Sequence, residues 1–188
     1  NPFLSVLRRQ EQTNRFMPQK GKVIIAGAGP GDPELITVKT VKALRHAEVI
    51  LVDRLVSEEI LQWYAAPAAE IVYVGKQCRS EGTTPQSTIN ELLVEYALLG
   101  KQIVRLKGGD VSIFSNVLDE LHTLVTHEID YEIIPGITAA LGAATYAGIP
   151  LTAREHATAV RLLTFYTSSK LSEAYWQKFN ETSKQEWV

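Results

Sequence analysis

The chain has 188 residues, 45% of them hydrophobic and 21% charged, the balance of an ordinary soluble globular protein with one sizeable core and room for part of another. A formal charge of −2 gives no overall reason to expect nucleic acid or an anionic membrane surface as partner, and no apolar run nears the roughly 20 residues of a membrane span. The single cysteine, Cys78, excludes an intrachain disulfide and suits a reducing, cytoplasmic setting.

Residues 1–20 carry Arg8, Arg9, Arg15 and Lys20 against one acid, Glu11, and read as a flexible basic arm. An arginine-rich, acid-poor start also fits a transit peptide, whereas Phe3, Leu4 and Leu7 form too short an apolar block for a signal peptide. The chain starts at Asn1 rather than methionine, so the expectation is that it was cut from something longer.

From Lys22 apolar runs and amphipathic repeats alternate. A strand over 23–27 leads to a helix over 34–46, with Leu35, Val38, Val41 and Leu44 on one face. Next come a strand over 48–53 and a helix from Ser57 toward Tyr64. A third strand, 71–74, ends at Gly75-Lys76, and a polar loop runs from Gln77 to Pro85. The next helix spans 86–99 and stops at Gly100. Strand 102–106 delivers Lys107-Gly108-Gly109-Asp110, a helix covers 116–127, and strand 131–134 passes through Pro135-Gly136 into a helix over 138–147. This rhythm predicts an α/β fold, a mainly parallel sheet flanked by helices on both faces. The domain spans 21–152. Residues 153–188 read as the start of a second, truncated α/β domain, with a strand over 159–164 and a short helix around Trp176 and Phe179.

The first turn, Gly27-Ala28-Gly29-Pro30-Gly31-Asp32-Pro33, is where a ligand belongs, because α/β proteins place small-molecule sites at strand carboxyl ends. Its G-x-G-x-G pattern is one residue short of the dinucleotide fingerprint, and Asp53 lies near the position of a ribose-binding acid. The residues after the glycines argue against phosphate. Asp32, Pro33 and Glu34 make a helix start whose cap carboxylate takes the first free N–H groups and whose acids repel an anion. A ligand without phosphate, and with positive charge, fits better. Lys107-Gly108-Gly109-Asp110 is no phosphate loop either, lacking the glycine spacing and a following Lys-Ser/Thr. Two glycine turns ending in acids, on strands of one sheet, describe a pocket where backbone groups do most of the recognition. His122 and His127, five apart, do not have metal-ligand spacing, so no metal is expected; Cys78 reads as a spectator thiol.

Six ordered blocks complete the picture: Ala26 to Pro33, Asp53 to Ser57, Val74 to Lys76, Arg105 to Asp110, Pro135 to Ala139 and Gly148 to Thr152. Together, across residues 22–164, they resemble the tetrapyrrole methylases, most strongly the uroporphyrinogen-III C-methyltransferase branch of sirohaem and corrin synthesis. The resemblance implies methyl transfer from S-adenosylmethionine, leaving S-adenosylhomocysteine, to two carbons of uroporphyrinogen III, giving precorrin-2. It implies cofactor contacts at Pro30, Gly108, Gly109, Asp110, Ile113, Thr138 and Ala139, a proton acceptor at Asp53 and a proton donor at Lys76. It implies a homodimer as well. A carboxylate-rich macrocycle calls for cations, and Arg54, Lys76, Arg79, Lys107 and Arg154 stand beside the blocks as a basic, substrate-binding mouth.

Two stretches depart from the family pattern. Where the family has Pro-Phe-Ile-Phe-Gly-Arg-Gly, this chain has Val111-Ser112-Ile113-Phe114-Ser115-Asn116-Val117; where it has Gly-His, Phe165-Tyr166 stands. The expectation is a cofactor-site half with little turnover alone. The alternatives are a methylase of another precorrin, a non-catalytic module holding cofactor or tetrapyrrole, and, disfavoured by the first turn, an NAD-linked oxidoreductase.

Overall fold

The computed structural model describes residues 19–75, 84–163 and Gln177. Apolar runs become strands where both faces can be buried: Val23–Gly27 (β1), Val49–Val52 (β2), Glu70–Tyr73 (β3), Ile103–Lys107 (β4) and Tyr131–Ile134 (β5). They pair in parallel in the order β3-β2-β4-β1-β5. Every residue of β2 and β4 is buried, while the edge strands β3 and β5 keep exposed positions.

Helices Val38–His46 (α1) and Glu58–Tyr64 (α2) cover one face, bringing Leu44 and Ile60 onto Ala26, Ile50, Val104 and Leu106. Helices Gln86–Leu98 (α3) and Val117–Thr126 (α4) cover the other, bringing Leu93 and Leu124 onto Ile25, Leu51 and Ile103. The chain therefore leaves β1 toward one face and its neighbour β4 toward the opposite face. Such a divergence opens a crevice at the strands' carboxyl ends, where ligands of open α/β sheets bind.

The single helix expected over 34–46 is two pieces. Asp32 caps only a 3-10 turn, Pro33–Leu35, accepting the Glu34 N–H at 2.8 Å. Ile36 is extended, and Thr37 caps α1 proper, its Oγ1 accepting the Thr40 N–H at 3.2 Å. The acids thus sit on the short turn, and the first turn of α1 carries none. Asp32 does engage a backbone donor, but the expected crowding of two carboxylates at a long helix's N-terminus is not formed.

The chain groups into two compact units, one ending at Thr138 and one beginning at Ala139. In the second, Ala139–Tyr146 forms a helix (α5), and Ala153 and Ala157 make an antiparallel bridge. Residues 159–163 have no regular structure, so the described part of the strand expected over 159–164 is not formed. Trp176 and Phe179 lie outside the described residues, though Gln177 between them is helical.

Candidate functional site

The β1 and β4 turns meet backbone to backbone. Ala28 N–H donates to the Lys107 carbonyl at 2.8 Å. Gly29 and Gly109 then exchange both hydrogen bonds, at 3.1 and 2.8 Å, in an antiparallel bridge across the crevice. Both have positive φ, +79° and +67°, which a side chain would oppose. The turn after β5 joins them. A Cβ on Gly27 would lie 2.6 Å from the Gly109 carbonyl oxygen and 2.7 Å from Gly136 Cα. Glycine at these positions lets three strand ends touch. Gly31 is different: its φ is +125° and the space a Cβ would fill is open. Beneath the lip, Thr40 Oγ1 of α1 donates to the Gly27 carbonyl at 3.3 Å, a tie with no signature in the sequence.

Asp110 locks the lip to β5. Its Oδ2 accepts the Gly136 N–H at 2.8 Å, and its Oδ1 accepts the Ser112 N–H at 2.8 Å and the Ser112 hydroxyl. Burial alone would push this carboxyl up. The donors on Ser112, Gly136 and Val111 together outweigh that and hold it below its ordinary value.

Asp53 ends β2, the other neighbour of β4, and its N–H donates to the Leu106 carbonyl at 2.9 Å. Its Oδ1 accepts the Arg54 N–H at 2.9 Å and its Oδ2 lies 4.0 Å from Arg105. The β2 turn abuts the β4 turn, since a Cβ on Gly108 would come within 2.8 Å of Leu55 Cβ. Pro30, Gly108, Gly109, Asp110 and Asp53 therefore gather at one end of the sheet, with exposed Arg54 beside them.

Lys107 is not in a basic mouth. It is 3% exposed, and its ammonium lies 3.0 and 3.1 Å from the oxygens of wholly buried Glu120. In a strand buried on both faces a lysine has no outward side. Burial pushes its pKa down; Glu120 opposes that, Arg105 adds to it, and Asp53 opposes it too. Arg105 opens one of the six blocks, but Glu120, linked to it at 2.9 Å, is a site residue that no sequence motif marks. The one available signal is two cations in an otherwise aliphatic strand.

The remaining expected residues are more scattered. Ile113 is half-buried in the loop after Asp110, near left-handed Phe114 and Asn116 (φ +53° and +51°). Thr138 closes the first unit, half-buried. Ala139 begins α5, and Arg154 is exposed in the second unit. That unit has an open cavity of about 520 Å³ lined by Leu141, Thr145, Gly148, Ile149, Pro150 and Thr152. Lys76, Cys78 and Arg79 lie outside the described residues. His122 and His127 are exposed, and among the described residues no group of three or more His, Cys, Asp or Glu could hold a metal ion. No helix among the described residues is long and apolar enough to cross a membrane.

A family model described as Tetrapyrrole (Corrin/Porphyrin) Methylases matches residues 22–183. The siroheme synthase of Saccharophagus degradans is 46% identical over 159 residues, 85% of this chain and 34% of that protein. The chain thus spans about a third of the length of the curated relatives it matches. Among solved structures, the uroporphyrin-III C-methyltransferase of Thermus thermophilus complexed with S-adenyl homocysteine is similar at TM-score 0.59 and 42% identity, covering 71% of this chain and 54% of its own. A cobalt precorrin-4 methyltransferase is similar at TM-score 0.67 and 29% identity, covering 84% of this chain and 65% of its own.

Proposed function

Because the chain belongs to the tetrapyrrole (corrin/porphyrin) methylases, we propose that it carries the methyl-donor site and the proton acceptor of a uroporphyrinogen-III C-methyltransferase. The observation that carries this reading is the Gly29–Gly109 bridge at the β1–β4 divergence, with Asp53 at the adjoining strand end. S-adenosylmethionine fits the lip on the chain's own terms. Open space at Gly31 admits a ligand against the backbone, and Asp32, Asp53 and Asp110 suit a sulfonium better than a diphosphate.

S-adenosylmethionine supplies the methyl group; the chain supplies position and a base. Pro30, Gly31 and Gly108 to Asp110 hold the donor along the lip, joined by Ile113 and Thr138, and Ala139 is a donor contact by the family resemblance alone. A reduced pyrrole carbon attacks in line: the new C–C bond forms as the C–S bond breaks, and sulfur leaves with the electron pair. Near-contact geometry provides much of the acceleration. The alkylated ring then loses a bridge proton to the Asp53 carboxylate, and Lys76 returns a proton or steadies a substrate carboxylate. Arg54, Arg79 and Arg154 meet the acidic periphery of the macrocycle, and a second copy of the chain completes a homodimer.

The test is titration calorimetry followed by turnover. S-adenosylhomocysteine is expected to bind and NAD not to. In the full-length protein, Asp53→Asn should retain S-adenosylhomocysteine affinity while lowering methyl transfer to uroporphyrinogen III about a hundredfold. Tight NAD binding, or full turnover by Asp53→Asn, would refute the reading. The TM-score of 0.67 to the precorrin-4 enzyme favours a second reading, another precorrin as acceptor. Turnover of a later precorrin but not of uroporphyrinogen III would select it.

A further inference from the structure

Central strands of parallel sheets are built from aliphatic residues because both their faces are dry. β4 breaks that rule twice on one face: Arg105 and Lys107 are 2% and 3% exposed. Burying an ion costs several kcal/mol even after relaxation, so two cations under α4 are a costly way to make a core. One partner is present. Glu120 of α4, fully buried, accepts from Arg105 Nε at 2.9 Å and from Lys107 Nζ at 3.0 and 3.1 Å. Two cations against one carboxylate leave one positive charge over. Asp53 is the anion it faces: Oδ2 is 4.0 Å from Arg105, and Asp53 also attracts the Lys107 ammonium. Unlike the cluster, Asp53 has a side chain about a third exposed (36%), at the strand end beside the glycine lip.

A staple between β4 and α4 would need only a neutral pair. Arg105 with Glu120 is already that, and Lys107 makes the cluster positive. The guanidinium is fixed by Glu120 through Nε, by the Leu51 and Leu106 carbonyls through Nη1, and turns Nη2 toward Asp53. A planar fork held on two sides is a rigid reference for the carboxylate on the third. We propose that Arg105, clamped by Glu120, is the positioning residue for the Asp53 carboxylate, which faces the surplus charge of the Arg105–Glu120–Lys107 cluster. The proposal rests on Asp53 being the proton acceptor of the reaction above.

Two measurements on the full-length protein separate this from a structural role. Arg105→Gln is expected to lower kcat about a hundredfold while donor KM and S-adenosylhomocysteine affinity stay within about twofold, and Arg105→Lys to recover part of kcat. The second measurement does not depend on turnover: Lys107 is titrated by carbon-13 NMR of its ε-carbon in the wild type and in Asp53→Asn. The charged groups facing Lys107 are Glu120 on α4, Arg105 on its own strand and Asp53 just past the end of β2. Burial lowers this amine and Asp53 opposes that, so removing the Asp53 charge should lower the Lys107 midpoint further. Unchanged kcat in Arg105→Gln, or a Lys107 midpoint unmoved in Asp53→Asn, overturns the proposal. If the wild type binds S-adenosylhomocysteine but methylates no tetrapyrrole, the functional reading has failed. The Lys107 titration then decides alone: a lowered midpoint upholds the coupling of the cluster to Asp53, and an unmoved one ends it.

Discussion

A Cβ on Gly136 would sit 2.2 Å from the Gly109 carbonyl oxygen and 2.9 Å from Gly27 Cα, and neither neighbour is a side-chain tip that can swing aside. Gly136→Ala must therefore part the ends of β1, β4 and β5. The expected cost is about 3 kcal/mol in urea unfolding, with weakened S-adenosylhomocysteine binding because the lip is the proposed donor site. A loss under about 0.5 kcal/mol, the size of an ordinary surface change, would mean that the three strand ends do not touch as described. That glycines mark these turns is legible in the sequence. What each glycine does is not, because its partner lies far along the chain: Gly27 meets residues 109 and 136, whereas Gly31 faces open space. Lys107 misleads for a related reason. A lysine beside a turn looks like a mouth residue until the strand is known to be buried on both faces and Glu120 to lie beneath it.

Among the elements, the strands, the parallel sheet and the helical faces can be read from periodicity, since β1 and β2 are continuous apolar runs edged by glycine or acid. The start of α1 cannot. Asp32 and Thr37 both carry cap signals, and an extended Ile36 splits what looks like one helix. α1 is tied to the sheet at its exposed end as well: Glu132 of β5 accepts from Lys22, just before β1, and from Lys39 of α1, both at 2.6 Å. These two ammonium groups, Lys22 first, lower the Glu132 carboxyl from 4.5 to about 2. The folded protein thus releases this proton more readily than the unfolded chain, which binds more protons across that window, so stability rises with pH there. The contribution is complete above about pH 4.5 and lost as pH falls toward 2. Glu132→Gln should flatten the urea midpoint against pH across this range, and added salt should shrink the difference, the pair being partly exposed. Equal slopes in both proteins would show that the contacts carry no linkage.

At the scale of the whole molecule, protection from solvent should follow the sheet. In the first unit β2 and β4 are buried throughout, with hydrogen-bonded strands on both sides. In the second, α5 buries only Gly142, while Leu141, Tyr146 and Ile149 are exposed. Opening free energy tracks buried apolar contact, so β1, β2 and β4 amides should exchange only through global unfolding and α5 amides through a cheaper local opening. A ligand that binds only the folded first unit adds about 2.7 kcal/mol to global unfolding at a hundred times its Kd, and the slowest sheet amides should gain that amount with S-adenosylhomocysteine. The Gly29 and Gly109 amides report on place as well as strength. Each is tied up only in the bridge between the two turns, so each can open without the strands. If the donor lies along the lip, these two should be slowed as much as the strands. Should the strands gain protection while Gly29 and Gly109 exchange as before, the ligand sits elsewhere on the first unit, and the bridge is only the seam between two turns.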